Sequence, residues 1–252
     1  MNEMKAAIRV TGLRKSFAEV SVLEGLDLEV RPGTVYALLG PNGSGKTTTV
    51  RILSTLIEGD AGEVEVLGQD VHRAPHLVRR GIGVTGQFSA VDDLLTGREN
   101  LRLIADLNHL PRGEGRRKVE ELLARFELTD AADRRVATYS GGMKRRLDLA
   151  MTLVGAPALL FLDEPTTGLD PRSRLQLWAI VRELLADGVT VFLTTQYLDE
   201  ADRLADLVGV LDGGRLVAEG TPAELKAQTG AETMDDVFMA LTGHPAEAEV
   251  MA

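Results

Sequence analysis

Residues 35–50 read VYALLGPNGSGKTTTV. The strand-like run Val35–Leu39 passes into Gly40-Pro41-Asn42-Gly43-Ser44-Gly45-Lys46-Thr47, and helix-forming residues follow. This is the G-x-x-x-x-G-K-[ST] spacing of a phosphate-binding loop between a strand and a helix. The glycines let the backbone curl until several N–H groups point at one anion, and the helix dipole adds to their pull. Lys46 supplies a mobile positive charge for the β- and γ-phosphates of a nucleoside triphosphate. Thr47 offers a hydroxyl to Mg²⁺, a cation that takes oxygen ligands and keeps several waters. The predicted phosphate set is Gly40, Pro41, Asn42, Gly43, Ser44, Gly45, Lys46, Thr47 and Thr48.

Working outward, strand-like runs recur at Ile8–Val10, Leu26–Val30, Glu63–Leu67, Ile82–Thr85, Leu159–Leu162, Thr190–Thr194, Val208–Leu211 and Leu216–Glu219. Several are continuous apolar runs, as strands covered on both faces require. Helical patterns lie between them. The clearest is Pro171–Ala186, with Asp170 as N-cap, Pro171 at the first position and Gly188 after the end. The alternation predicts an α/β fold with a mostly parallel sheet. Residues 1–36 and 62–68 suggest short strands joined by hairpins, hence a flanking antiparallel β subdomain. Residues from about 89 to 150 carry almost no strand signal, and Val119, Leu122, Leu123 and Phe126 have helical spacing there. An inserted helical subdomain is expected. We expect one nucleotide-binding domain over 1–220, and a short helical extension with a mobile polar tail over 221–252.

Residues 158–170, ALLFLDEPTTGLD, form an apolar strand ending in two acids. Where the chain turns, both can approach the phosphates. Asp163 suits an acid that holds Mg²⁺, and Glu164 a general base for water attacking the γ-phosphate. Two adjacent acids are costly unless a cation and a reacting water use them.

The chain also resembles the ABC-type ATPases, whose core is a P-loop NTPase fold. YSGGMKRRLDLAMTL at 139–153 looks like their signature helix. The phosphate loop, Gln87 in GVTGQ, this signature, the acids of DEP and the GLD of 168–170 stand in family order over roughly residues 5–220. The resemblance implies a homodimer, or an equivalent second ATP-binding subunit, with two ATP molecules at the interface. Ser140, Gly141 and Gly142 of one subunit would cap the nucleotide held by the other. It implies that Gln87 reaches Mg²⁺ and the water, and that the following segment contacts a membrane permease. Phe88, Val91, Leu94 and Leu95 are candidates for that groove, or ordinary core. Phe17 lies where the family places an aromatic ring on adenine, a role open to a plain π-face; it could also be strand core.

The family usually ends the strand after the acidic pair on histidine. Here FLTTQYLDEAD, residues 192–202, has Gln196. An amide can donate a hydrogen bond to phosphate but cannot become a cation. Gln196 is therefore expected to position the phosphate while Glu164 carries the proton, unless Gln196 merely caps the next helix. This segment, GQFSAVDDLLTGRENL and MDDVFMALTG also resemble the ATP-binding subunits of bacterial exporters of daunorubicin-type antibiotics. That branch implies antibiotic or multidrug-type export through a separate membrane subunit. The location it implies is cytoplasmic and peripheral, at the inner face of the membrane.

The 252-residue chain has no cysteine, which excludes disulfides and thiolate metal sites. No apolar run approaches the ~18–20 residues of a membrane span, and no secretory signal opens the sequence. The formal net charge of −10 argues mildly against a chain-wide nucleic-acid surface. The alternative, a soluble ABC ATPase acting on nucleic acid or ribosomes, keeps one supporting feature. Residues 98–146 carry 12 Lys/Arg against 8 Asp/Glu. A phosphotransferase would leave the signature unexplained.

Overall fold

The computed structural model describes residues 5–86 and 90–243. The chain begins with β1 (Ile8–Phe17) and β2 (Val20–Val30), then β3 (Val35–Leu39) and α1 (Lys46–Leu53). Next come β4 (Ala61–Val66), β5 (Gln69–Asp70), α2 (Pro75–Gly81) and β6 (Ile82–Thr85). Three helices follow, α3 (Gly97–Leu107), α4 (Arg112–Arg125) and α5 (Gly141–Thr152). The second half runs β7 (Leu159–Asp163), α6 (Pro171–Ala186), β8 (Thr190–Thr195), α7 (Leu198–Leu204), β9 (Leu207–Asp212) and β10 (Arg215–Gly220). It closes with α8 (Pro222–Thr229) and α9 (Met234–Thr242).

The main sheet has the order β10-β9-β3-β8-β7-β6, and a separate sheet has the order β2-β1-β4-β5. In the main sheet β9, β3, β8, β7 and β6 are parallel to their neighbours, and only β10 pairs antiparallel. The second sheet is antiparallel throughout. The chain is thus a P-loop NTPase core with a flanking antiparallel β subdomain and an inserted helical subdomain.

The central strands are buried on both faces, and the two-residue period of a strand decides which core each side chain joins. Val35, Ala37, Leu39, Leu160, Leu162, Val191 and Leu193 face the helices and pack with Leu101, Leu122, Leu147 and Val181. Tyr36, Leu38, Leu159, Phe161 and Phe192 face the other way, against α1 and the inner face of the antiparallel sheet. There Tyr36 stacks on Phe192 with ring centroids 5.4 Å apart, and Phe161 lies tilted at 5.7 Å from Phe192.

The flanking strands are longer than expected. β1 continues from Val10 to Phe17 and β2 begins at Val20, with register shifts at several points between them. Their outer residues alternate with polar side chains because one face meets water, which dilutes the apolar signal. The Asp170 cap is as expected. Its Oδ1 accepts from the Ser173 N–H at 3.0 Å, and Pro171 opens α6.

Candidate active site

Because β3, β8, β7 and β6 run parallel, their C-terminal ends open at one edge, the usual place for ligands in such sheets. The phosphate loop leaves β3 there. Two of its glycines are required by contact. A Cβ on Gly40 would lie 2.4 Å from both the Leu211 carbonyl oxygen and Ser44 Oγ. Gly45 has φ +110°, and its Cβ would lie 2.7 Å from Leu23 Cδ2. Ser44 Oγ is buried and finds no hydrogen-bond partner, an arrangement that suits an anion accepting from the hydroxyl. Lys46 is only 4% exposed; its Nζ donates to the carbonyls of Gly40 at 2.8 Å and Pro41 at 3.1 Å.

β7 brings the two acids. Thr47 Oγ1 donates to Asp163 Oδ1 at 3.3 Å, and Thr194 Oγ1 of β8 donates to the same oxygen. A hydroxyl and a carboxylate therefore meet at the mouth of the loop, an oxygen-only donor pair that fits Mg²⁺. Among the described residues no group of three or more His, Asp or Glu side chains gathers to cage a metal alone. Glu164 Oε1 lies 3.7 Å from Lys46 Nζ. Glu164 has φ +47°, a left-handed conformation that is strained for a residue with a Cβ. Its N–H is shared between the carbonyl of Thr194 at 3.0 Å and Thr194 Oγ1 at 3.2 Å.

A cleft of about 300 Å³ is lined by Phe17 and Val22, by Asn42, Gly43 and residues 45–48 of the loop, and by Glu164. Phe17 is 48% exposed, so it is not strand core. Gln196 is half-buried at the end of β8. It does not cap α7, whose N-cap is Tyr197 without a side-chain cap; the Tyr197 N–H instead donates to Thr195 Oγ1 at 2.9 Å. Gln196 Oε1 is buried without a partner.

The signature turn is elsewhere. Ser140 caps α5, accepting from the Met143 N–H at 3.3 Å, and Ser140 and Gly141 are exposed. None of Ser140, Gly141 and Gly142 lines the cleft. Gln87 and Phe88 lie outside the described residues. The expected docking positions are divided: Leu94 is 78% exposed, while Val91 packs on the helical core. The nearby groove, of about 430 Å³, is lined by Arg80, Ala90, Ile104 and Met151 among others, and by none of Val91, Leu94 and Leu95.

Two charged residues of this region carry no expectation from sequence. Glu200 is wholly buried and its Oε1 accepts from Trp178 Nε1 at 3.0 Å. Burial pushes its carboxyl above the usual range, opposed by polar neighbours that include the Trp178 indole. In α7 it packs on the same side as Ala201 and Leu204, which are also buried. The other is Arg145, within α5.

A family model described as ABC transporter matches residues 23–167. This chain belongs to the ABC transporter family. Its ABC relatives include the "Daunorubicin resistance ATP-binding protein DrrA3" of Streptomyces coeruleorubidus, 54% identical over 92% of this chain and 73% of that protein. The "Daunorubicin/doxorubicin resistance ATP-binding protein DrrA" of Streptomyces peucetius is 54% identical over 90% of this chain and 69% of its own. A solved "ATP binding subunit of ABC transporter" superposes with a TM-score of 0.83 at 30% identity, covering 93% of this chain and 99% of that one. The chain is an ABC ATP-binding subunit and an ATPase, homologous to the ATP-binding proteins of drug resistance. The ABC family uses ATP with Mg²⁺.

Proposed function

We propose that this chain is the motor of a drug-type exporter, hydrolysing MgATP with Glu164 as general base once a second ATP-binding subunit closes over the nucleotide. The observation that carries the reading is the contact between Thr47 and Asp163, residues 116 apart in sequence and 3.3 Å apart in space. It joins the phosphate loop to the acidic strand end.

Loop N–H groups, the Ser44 hydroxyl and the Lys46 ammonium bind the phosphates, and Phe17 stacks on the base. Thr47 and Asp163 would hold Mg²⁺, with Gln87 as the third ligand of the family pattern, and the ion would supply neutralisation of phosphate charge. Glu164 takes the proton of the attacking water. Gln196 offers an N–H to the γ-phosphate and leaves the proton to Glu164, since an amide does not titrate. Ser140, Gly141 and Gly142 serve the nucleotide of the second subunit; the exposure of Ser140 and Gly141, away from the cleft, supports that division. ATP binding to both faces draws two subunits together, and hydrolysis releases part of that attraction.

No helix of the described residues is long and apolar enough to cross a membrane. An integral permease supplies the pathway, and this chain sits peripherally on its cytoplasmic side. The nucleotide-binding unit spans 1–220, and α8 and α9 extend it; the tail expected after them lies outside the described residues. The names of the relatives support antibiotic-type export.

Glu164→Gln is expected to bind MgATP with near-parent affinity and to release phosphate about 10²–10⁴ times more slowly. Unchanged phosphate release would remove Glu164 from the role. The export reading is tested by daunorubicin-stimulated ATPase activity of the chain co-purified with its membrane subunit. A rate indifferent to drug counts against drug export and leaves the ATPase intact.

A further inference from the structure

Arg145 lies in the second turn of α5, the helix that starts at the Ser140–Gly142 turn. Its side chain is 12% exposed and points into the strand-end edge. Nε donates to the Pro165 carbonyl at 2.8 Å, and a third guanidinium nitrogen reaches the Asp163 carbonyl at 3.4 Å. Those two carbonyls flank Glu164 on either side. The remaining nitrogen donates to the Gly86 carbonyl at 3.1 Å and to Asp148 Oδ2 at 3.2 Å. Asp148 Oδ1 in turn accepts from the Ala90 N–H at 3.1 Å. One planar group thus gathers main chain from the ends of β6 and β7 onto a single helix. The fork geometry of guanidinium is what allows this; an ammonium cannot span the same carbonyls.

A reason for such a clamp lies in Glu164 itself. Its backbone is left-handed at φ +47°, and a strained conformation persists only where its surroundings over-determine it. Thr194 holds its N–H, and Arg145 holds the carbonyls on both sides. Burial lowers the Arg145 pKa, while the acids Asp148, Glu200 and Asp163 oppose that. A guanidinium kept charged in so enclosed a place is costly as mere filling.

We infer that Arg145 is a positioning residue for hydrolysis: it holds the Glu164 carboxylate in its reactive attitude and ties that attitude to the helix whose first turn meets the second subunit's nucleotide. This rests on Glu164 being the general base. Movement of α5 on nucleotide capture then moves both carbonyls that bracket Glu164, so the capping turn and the base respond as one body.

The test compares full-length parent, Arg145→Gln, Arg145→Lys, Glu164→Gln and the double variant Arg145→Gln/Glu164→Gln. MgATP binding, thermal midpoint and phosphate release at saturating MgATP are measured for each. Arg145→Gln and Arg145→Lys should lower kcat about 10–100-fold with KM and MgATP affinity within about twofold, the signature of a misaimed group rather than a lost contact. Arg145→Gln should slow the Glu164→Gln protein no further, because it acts through the carboxylate already removed. Parent-like kcat in either Arg145 variant overturns the inference. So does an equal loss in both backgrounds, which would mark a general structural role. If Arg145→Gln does not fold, the kcat and KM of Arg145→Lys decide alone. Slow Glu164→Gln beside fast Arg145 variants sinks only this inference; fast Glu164→Gln sinks the base assignment beneath it.

Discussion

The phosphate loop and the signature turn are both glycine-rich entries to helices, yet the chain treats them in opposite ways. At the loop, two key polar groups are answered within the chain: Lys46 by loop carbonyls and Glu164, Thr47 by Asp163. At the signature turn, Ser140 and Gly141 face outward, and a Cβ on Gly141 would meet nothing within 4 Å. One half-site is braced by its own fold, with the Ser44 hydroxyl left for a ligand. The other is shaped for something this chain does not contain. The lesson is that glycine has two uses here, internal fit and external approach, and adjacent residues separate them. Gly142 belongs to the first kind, since its Cβ would lie 2.2 Å from Ser173 Oγ.

The strongest way to break this contrast is Gly141→Ala. Its methyl has room in the monomer, so the thermal midpoint should hold while ATP turnover falls about 10–100-fold through loss of close approach by the second nucleotide. Parent-like turnover would mean the turn meets nothing. Gly142→Ala should do the reverse first. It displaces Ser173 from Asp170, a bond of 2.6 Å, and destabilises the chain by about 1–3 kcal/mol, read by denaturant titration. Phe17→Ala sharpens the loop side. Losing a stacking face, worth about 1–3 kcal/mol per base, should weaken ATP binding roughly tenfold or more and leave inorganic triphosphate binding unchanged.

The smallest effect tests the buried acid behind the site. The Glu200 carboxyl is raised by burial, so its stabilising share is full below the ordinary carboxylate range and is lost as pH rises through the raised value. Glu200→Gln keeps an acceptor for Trp178 and cannot ionise. Its thermal midpoint should gain on the parent by about 1–3 °C near pH 8, and the gain should shrink toward pH 4. A difference that does not change with pH would show that ionisation of Glu200 carries no cost.

Much of this arrangement is legible in the linear chain because the phosphate loop is local. Strand, glycines, lysine and helix follow one another within residues 35–50, and their geometry needs no distant partner. Asp163 and Glu164 are legible once the loop is known, since an apolar strand ending in acids has few other uses. Arg145 is not, because its partners are main-chain carbonyls, and a carbonyl has no residue identity to recognise. Glu200 is hidden for a related reason: in sequence it stands in an acidic helix start, and only packing shows that its neighbour Asp199 faces water while it does not. Gln196 shows the limit of local rules, since capping was plausible at that position and Tyr197 takes it instead.

The ring stack of Tyr36, Phe192 and Phe161 lies on the far side of the sheet from the helical insertion, a few residues upstream of Gly40, Gln196 and Glu164 on three adjacent strands. Its packed rings set the spacing of the three strands behind the tips that hold the chemistry. A modest trim such as Phe192→Leu would let those tips slide relative to one another without altering any charge. Phe192→Leu is therefore expected to change the pace of turnover through hydrocarbon bulk alone, from behind the cleft.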